Sequence, residues 1–213
     1  MTAMYGQNVS SPNSAASGTD VQLRSTPTGE ILVASRFSDL VRRGKSWATM
    51  STSAVAGLVV RPSTVAAFEI YNPAASGVSL IIDRLFVFNL VSTAVGETYS
   101  LWAQVSTPNR IAAAPTSGSF AVRGSSGNAY AGATIAAAST TVVDSGWFPW
   151  TNAIQKAAQA ATVTPQGCQV AEVDGRLIVQ PGGSLCLHTV SSIVGQTFTQ
   201  GASWYEEALT HVN

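Results

Sequence analysis

At 213 residues the chain has room for one sizeable sandwich or barrel with additional arms, on a scale of roughly 100–200 residues per domain. Hydrophobic residues make up an ordinary 46%, but charged residues only 10%, far under the ~25% of typical soluble domains. The eleven basic and eleven acidic side chains cancel, which removes any global field that would draw in nucleic acid, an anionic membrane or an acidic substrate.

No apolar run is long enough for a spanning helix. Met1 to Gln7 carry neither a basic stretch nor an apolar one, so we expect no secretory signal and synthesis in a cytoplasm. Residues 1–35 are rich in Ser, Thr, Asn, Gly and Pro and cannot fold alone. They read either as a disordered tail or as an extended arm ordered on a neighbouring subunit. The short strand-forming pieces at 21–24 and 30–34 favour the arm. In the charged segment that follows, Phe37, Leu40 and Val41 stand at i, i+3, i+4 and Gly44 occupies a C-cap position, which predicts a short helical turn. Arg42, Arg43 and Lys45 beside Asp39 read as a solvated face. The arm with its helical turn therefore covers 1–45, and a β-sandwich is expected over 46–213.

From Trp47 onward strands alternate with turns. Residues 65–71 form a β-branched and aromatic run ended by Asn72-Pro73. Residues 78–91 are apolar on both alternating faces, the pattern of a central strand covered on two sides, with a bend expected near Asp83-Arg84. Residues 98–105 and 119–123 continue the series. A Gly/Ser/Ala stretch then runs to 139, with Ile135 its only branched aliphatic, and residues 140–144 lead into Trp147-Phe148-Pro149-Trp150. Residues 153–161 place Ile154, Ala157, Ala158 and Ala161 on one face and predict a short helix. Strands are expected at 168–173, 176–180, 184–190 and 203–209, with tight turns at Asp174-Gly175 and Pro181-Gly182-Gly183. Many short strands with a turn signal about every ten residues predict an all-β sandwich or barrel.

Candidate chemistry is sparse. Acyl or phosphoryl transfer needs a nucleophile, a base and an orienting group within mutual reach. The chain has two histidines, and His211 stands near the end of the sequence. His188 shares a strand face with Cys186, but at nearly 7 Å, too far for the direct bond that activates a thiol. Cys168 and Cys186 read as reduced packing residues, with a cross-strand disulfide as the alternative. Asp144-Ser145-Gly146 lacks the flanks of a serine-nucleophile loop, and no phosphate loop or zinc spacing occurs. Glu206 and Glu207 are adjacent on a strand and point to opposite faces. We therefore expect no catalytic residue, no metal and no cofactor.

The surface composition is more informative. Between Glu97 and Asp144 the only charged residues are Arg110 and Arg123. A freely diffusing protein spreads charge over its exterior, whereas one locked into an assembly need not. The C-terminal run Gly175-Arg176-Leu177-Ile178-Val179-Gln180-Pro181-Gly182-Gly183-Ser184-Leu185-Cys186-Leu187-His188, then Gly195-Gln196-Thr197 and Gly201-Ala202-Ser203-Trp204-Tyr205-Glu206, resembles the closing strands of jelly-roll domains in bacteriophage capsid-decoration and appendage proteins. The resemblance covers about the final forty residues; the earlier strands match by type. It implies a double-sheet jelly roll, a homotrimer, that cements a phage head in the virion through contacts with its own copies and with proteins such as a major capsid protein. The arm lacks the Lys/Arg load used to neutralise a genome, so no nucleic-acid contact is expected. Trp47, Phe86, Phe88, Trp102 and Trp204 are the candidate core or interface anchors, since aromatic side chains bury the most area. The rival reading is a head- or tail-fibre module binding cell-surface glycans, with Trp147, Phe148 and Trp150 stacking on sugar rings.

Overall fold

A computed structural model describes residues 36–91, 98–106, 118–139, 142, 146–151, 154–155 and 167–208. Leu40–Asn213 form one compact unit and Met1–Asp39 another. The expected strand pieces at 21–24 and 30–34, most of 140–144, and His211 lie outside the described residues.

The helical turn is present as α1 (Arg36–Arg42). Gly44, at φ 65°, ends it: the Gly44 N–H donates to Val41 O at 3.0 Å and the Lys45 N–H to Leu40 O at 2.9 Å. These two bonds make a Schellman cap, which needs a left-handed residue at the position Gly44 fills.

The remaining described elements are strands, in two six-stranded antiparallel sheets. In chain order they are β1 (Ser46–Met50), β2 (Val55–Ala56), β3 (Ala66–Tyr71), β4 (Ser79–Val91), β5 (Thr98–Ser106), β6 (Arg123–Gly124), β7 (Ile135–Ser139), β8 (Phe148–Pro149), β9 (Ile154–Gln155), β10 (Gly167–Val179), β11 (Ser184–Ser191) and β12 (Thr197–Glu207). The first sheet runs β10-β4-β12-β1-β6 with β2 on β12, and the second β7-β3-β11-β5-β8 with β9 on β5. Leaving aside the short additions, the sequence β1, β3, β4, β5, β8, β10, β11, β12 lays down four strands in each sheet. Their spatial orders are β1-β12-β4-β10 and β3-β11-β5-β8, the double Greek key of a jelly roll. The all-β jelly-roll expectation therefore holds.

Alternation along the strands builds the core. Leu80, Ile82, Leu85 and Val87 of β4 and Phe198, Ala202 and Trp204 of β12 face Phe68 and Ile70 of β3, Leu101 of β5, and Leu185 and Leu187 of β11, all fully buried. Each such aliphatic side chain contributes about 1.5–3 kcal/mol on burial. Asn72 ties one end together: its Nδ2 donates to Val78 O at 2.8 Å and Val179 O at 3.1 Å, joining the β3–β4 and β10–β11 connections. The Pro181-Gly182-Gly183 turn carries the chain from one sheet to the other there, with Gly182 at φ 84°.

Three sequence expectations are corrected. Asp174-Gly175 does not close a hairpin. Residues 167–179 are one strand along β4, in which Val173 to Arg176 form an irregularity opposite Asp83: Val173 stays in the core, while Asp174 stands at φ 51° and Gly175 at φ 75°. The left-handed signal was real, but the strands on either side share one partner instead of pairing with each other. The helix predicted over 153–161 begins instead as β9 at Ile154–Gln155, paired with Thr98 and Tyr99, and 156–161 lie outside the described residues. At Ile154–Gln155, pairing to a sheet edge overrides the helical pattern. Residues 119–122 are irregular, leaving only Arg123–Gly124 as β6, whereas the Gly/Ser/Ala stretch ends in the true strand β7.

Candidate functional site

The five anchor residues divide between the inside and the outside of the sandwich. Trp47 and Trp204 are cross-strand neighbours on β1 and β12 and are buried in the core. Phe86 and Phe88 alternate with Leu85 and Val87, so they point outward and are half-buried on the first sheet. Trp102 is half-buried on the outside of the second sheet, where it packs with Trp147, Val142, Ala66 and Cys186.

The outer face of the first sheet is assembled from cross-strand rows. Cys168, Phe88 and Thr199 form one; Val170, Phe86, Gly201 and Met50 the next; Glu172, Arg84, Ser203 and Ala48 the third; and Ile178, Ile81, Tyr205 and Ser46 the fourth. Val170 is 52% exposed and Ile178 39%. Charges sit amid these apolar rows: Arg84 Nε donates to Glu172 Oε2 at 2.8 Å and lies 3.8 Å from Asp83 Oδ2. Asp83, displaced by the bulge, accepts from Ser203 Oγ at 3.3 Å, and burial pushes its carboxyl upward against the pull of Arg84.

The outer face of the second sheet is closed over. Trp147 Nε1 donates to Ser63 O at 2.8 Å and the Val142 N–H to Thr64 O at 2.7 Å, which pins this connection across the strands. Beneath it, Cys186 stands between Glu69 and Gln104 in one cross-strand row, and His188 faces Trp102 in the next. All but the half-buried Trp102 are buried. Burial, and then the Glu69 carboxylate, drive the Cys186 thiol far up, with the Ser184 contact at 3.5 Å opposing. Burial pushes His188 down, and its Nδ1 lies 3.2 Å from Thr189 O. A thiol held neutral beside an imidazole held neutral is the reverse of an activated thiolate pair. Cys168 and Cys186 are both free, and they face outward from different sheets, so no bridge can join them. Glu206 and Glu207 do part to opposite sides: Glu206 is buried and accepts from Tyr130 Oη at 2.7 Å.

The three aromatics of the 147–150 cluster also separate. Trp147 goes outward into the closed-over face, whereas Phe148 and Trp150 turn toward the core edge, with rings 5.5 Å apart and tilted by 57°. There they line a groove of 480 Å³ between β8 and β10 with Pro149, Thr151, Val170, Ala171, Glu172 and Arg176. The Arg176 guanidinium lies over Trp150, its Cζ 5.4 Å from the ring centroid. Sequence reasoning missed Arg176. Its only signal is the adjacent Asp174-Gly175, which reads as a tight turn.

Among the described residues no group of three or more His, Cys, Asp or Glu gathers around a common point, and no helix is long and apolar enough to cross a membrane. Comparison of the chain with family models, with curated proteins and with solved structures gives no match.

Proposed function

We propose that this chain is a structural subunit of a virion, a capsid-decoration or cement protein of a phage head, which works by burying surface against copies of itself and against shell proteins such as a major capsid protein. The observation that carries the reading is the outer face of the first sheet. An antiparallel sheet with one solvated face normally turns polar side chains to water. Here the outward rows carry Phe86, Phe88, Val170, Ile178, Ile81 and Met50 around Arg84, which pairs with Glu172 and more loosely with Asp83. An apolar field around a fixed ion pair has the anatomy of an interface, where the pair sets register and the surrounding side chains exclude water. The 10% charged composition supports the same reading.

Three copies joined through this face and the arm, each interface in the ~1,200–2,000 Å² range, constitute the assembly we expect. Mass measurement by light scattering on the purified chain should return a trimer, and electron microscopy should show it adding to preformed shells. Phe86→Lys places a charge in the middle of the face; it should yield monomers that no longer decorate, with unfolding stability changed by about 1 kcal/mol or less. A wild-type chain that stays monomeric at high concentration and ignores shells rules the proposal out.

A further inference from the structure

The groove between β8 and β10 has features that subunit packing does not require. Its floor is aromatic, from Phe148 and Trp150, and its far wall is the bulged segment of β10. The bulge holds a non-glycine residue, Asp174, in the left-handed region at φ 51°, a costly conformation that tends to persist where it serves a purpose. Its consequence is the placement of Arg176. The guanidinium folds back so that Nε donates to Val173 O at 2.9 Å and Nη2 donates to Glu172 O at 2.7 Å. Those two bonds, with the indole face, fix an otherwise free side chain at the groove while leaving other guanidinium N–H donors for a ligand. On the same wall, Arg84 holds the Glu172 carboxylate by one oxygen. The groove therefore presents an aromatic floor, with Arg176 lying over its indole, flanked by a fixed donor and a fixed acceptor, which matches a ring with apolar C–H groups and hydroxyls at its rim.

Local charge decides which saccharide fits. Around the bulge stand three acids, Asp83, Glu172 and Asp174, against two bases, Arg84 and Arg176, a net of minus one. Glu172 and Arg176 cancel in the lining and Asp83 and Asp174 stand close behind, which disfavours a carboxylated or sulfated sugar, and the chain as a whole offers no compensating positive field. We infer that the groove formed by Phe148, Trp150, Glu172 and Arg176 binds a neutral pyranose unit of a polysaccharide. The groove borders the apolar outer face and shares Val170 and Glu172 with it, but the inference does not rest on the assembly reading.

Saturation-transfer NMR on the full chain, with methyl glucoside, methyl galactoside, methyl mannoside and methyl glucuronide as probes, tests this. At least one neutral glycoside should receive saturation and the glucuronide should receive none. Arg176→Ala and Glu172→Gln should each weaken the binding about tenfold, as expected for losing one charge-assisted hydrogen bond. Thermal melts of both variants verify that they are folded, and the second leaves the bulge anchors in place. The inference fails if no neutral glycoside responds, if only the glucuronide does, or if both folded variants bind as the wild type does. The oligomeric state, measured on the same sample, reports separately on the assembly proposal.

Discussion

On the first sheet β4 turns Phe86 and Phe88 outward, half-buried; on the second, β11 turns Cys186 and His188 outward, and both are buried, Cys186 against Trp147 and Val142 and His188 opposite Trp102. Large apolar side chains thus stand on the accessible face, around the charges of Arg84, Glu172 and Asp83, while Glu69, Cys186 and His188 are buried on the covered face. A sheet surface is usually sorted the other way, because a polar group is cheapest in water and an apolar one in the core. The inversion teaches that the chain's own connections finish the second sheet, while among the described residues nothing comparable closes over the first. It also separates groups built for packing from groups available for contact.

Uncovering the second sheet should cost most. Trp147→Ala removes a buried indole and its bond to Ser63 O, and an unfolding titration should show a loss of about 3–5 kcal/mol. On the first face the comparable strain comes from adding atoms. Gly201 lies directly beneath Phe86 and beside the Thr49 carbonyl, so a methyl group there collides with both. Gly201→Ala should lose about 1–3 kcal/mol by the same titration and also shift Phe86, weakening self-association. At the flank between the faces, Gly175→Ala forces a side chain into φ 75° and to 3.1 Å from Ile81, for a loss of about 1–2 kcal/mol.

The smallest effect separates the faces by pH. Burial lowers the His188 pKa below its ordinary 6.5, so the unfolded chain takes up this proton at higher pH than the folded one does. The unfolded state then binds more protons in the window from 6.5 downward, and stability falls as pH falls through it. Thermal midpoints should decline from pH 7 toward 5, and His188→Gln should flatten that slope. Asp83, raised above 3.8 by burial, works in the opposite sense: its protonation just above pH 3.8 favours the fold. A slope unchanged in His188→Gln would mean that the second face is open to water after all.

Much of the fold was legible from local signals. Residues 78–91 read as a central strand because both faces are apolar, and β4 does lie between β10 and β12, with its irregularity at the expected Asp83-Arg84. Gly44 read as a helix cap because few other residues tolerate its φ. Of the candidate site, the aromatics of the 147–150 cluster were visible, but not that Trp147 lies on the opposite side from Phe148 and Trp150. The alternation that separates it from Phe148 and Trp150 takes effect only once β8 pairs with β5. Arg176 was invisible because its position depends on a bulge, and a bulge is a relation between two strands.

By itself, then, the sequence determined an all-β body: β-branched runs, turn residues and scarce charge act within a few residues of chain and leave little alternative. Tertiary structure alone decided which outward face would be covered, where Asp174-Gly175 would send the chain, and that Arg176 would meet Trp150. Those outcomes turn on registers between strands nearly a hundred residues apart, as in the 88-residue separation of Arg84 and Glu172, and no local pattern encodes a pairing over that distance.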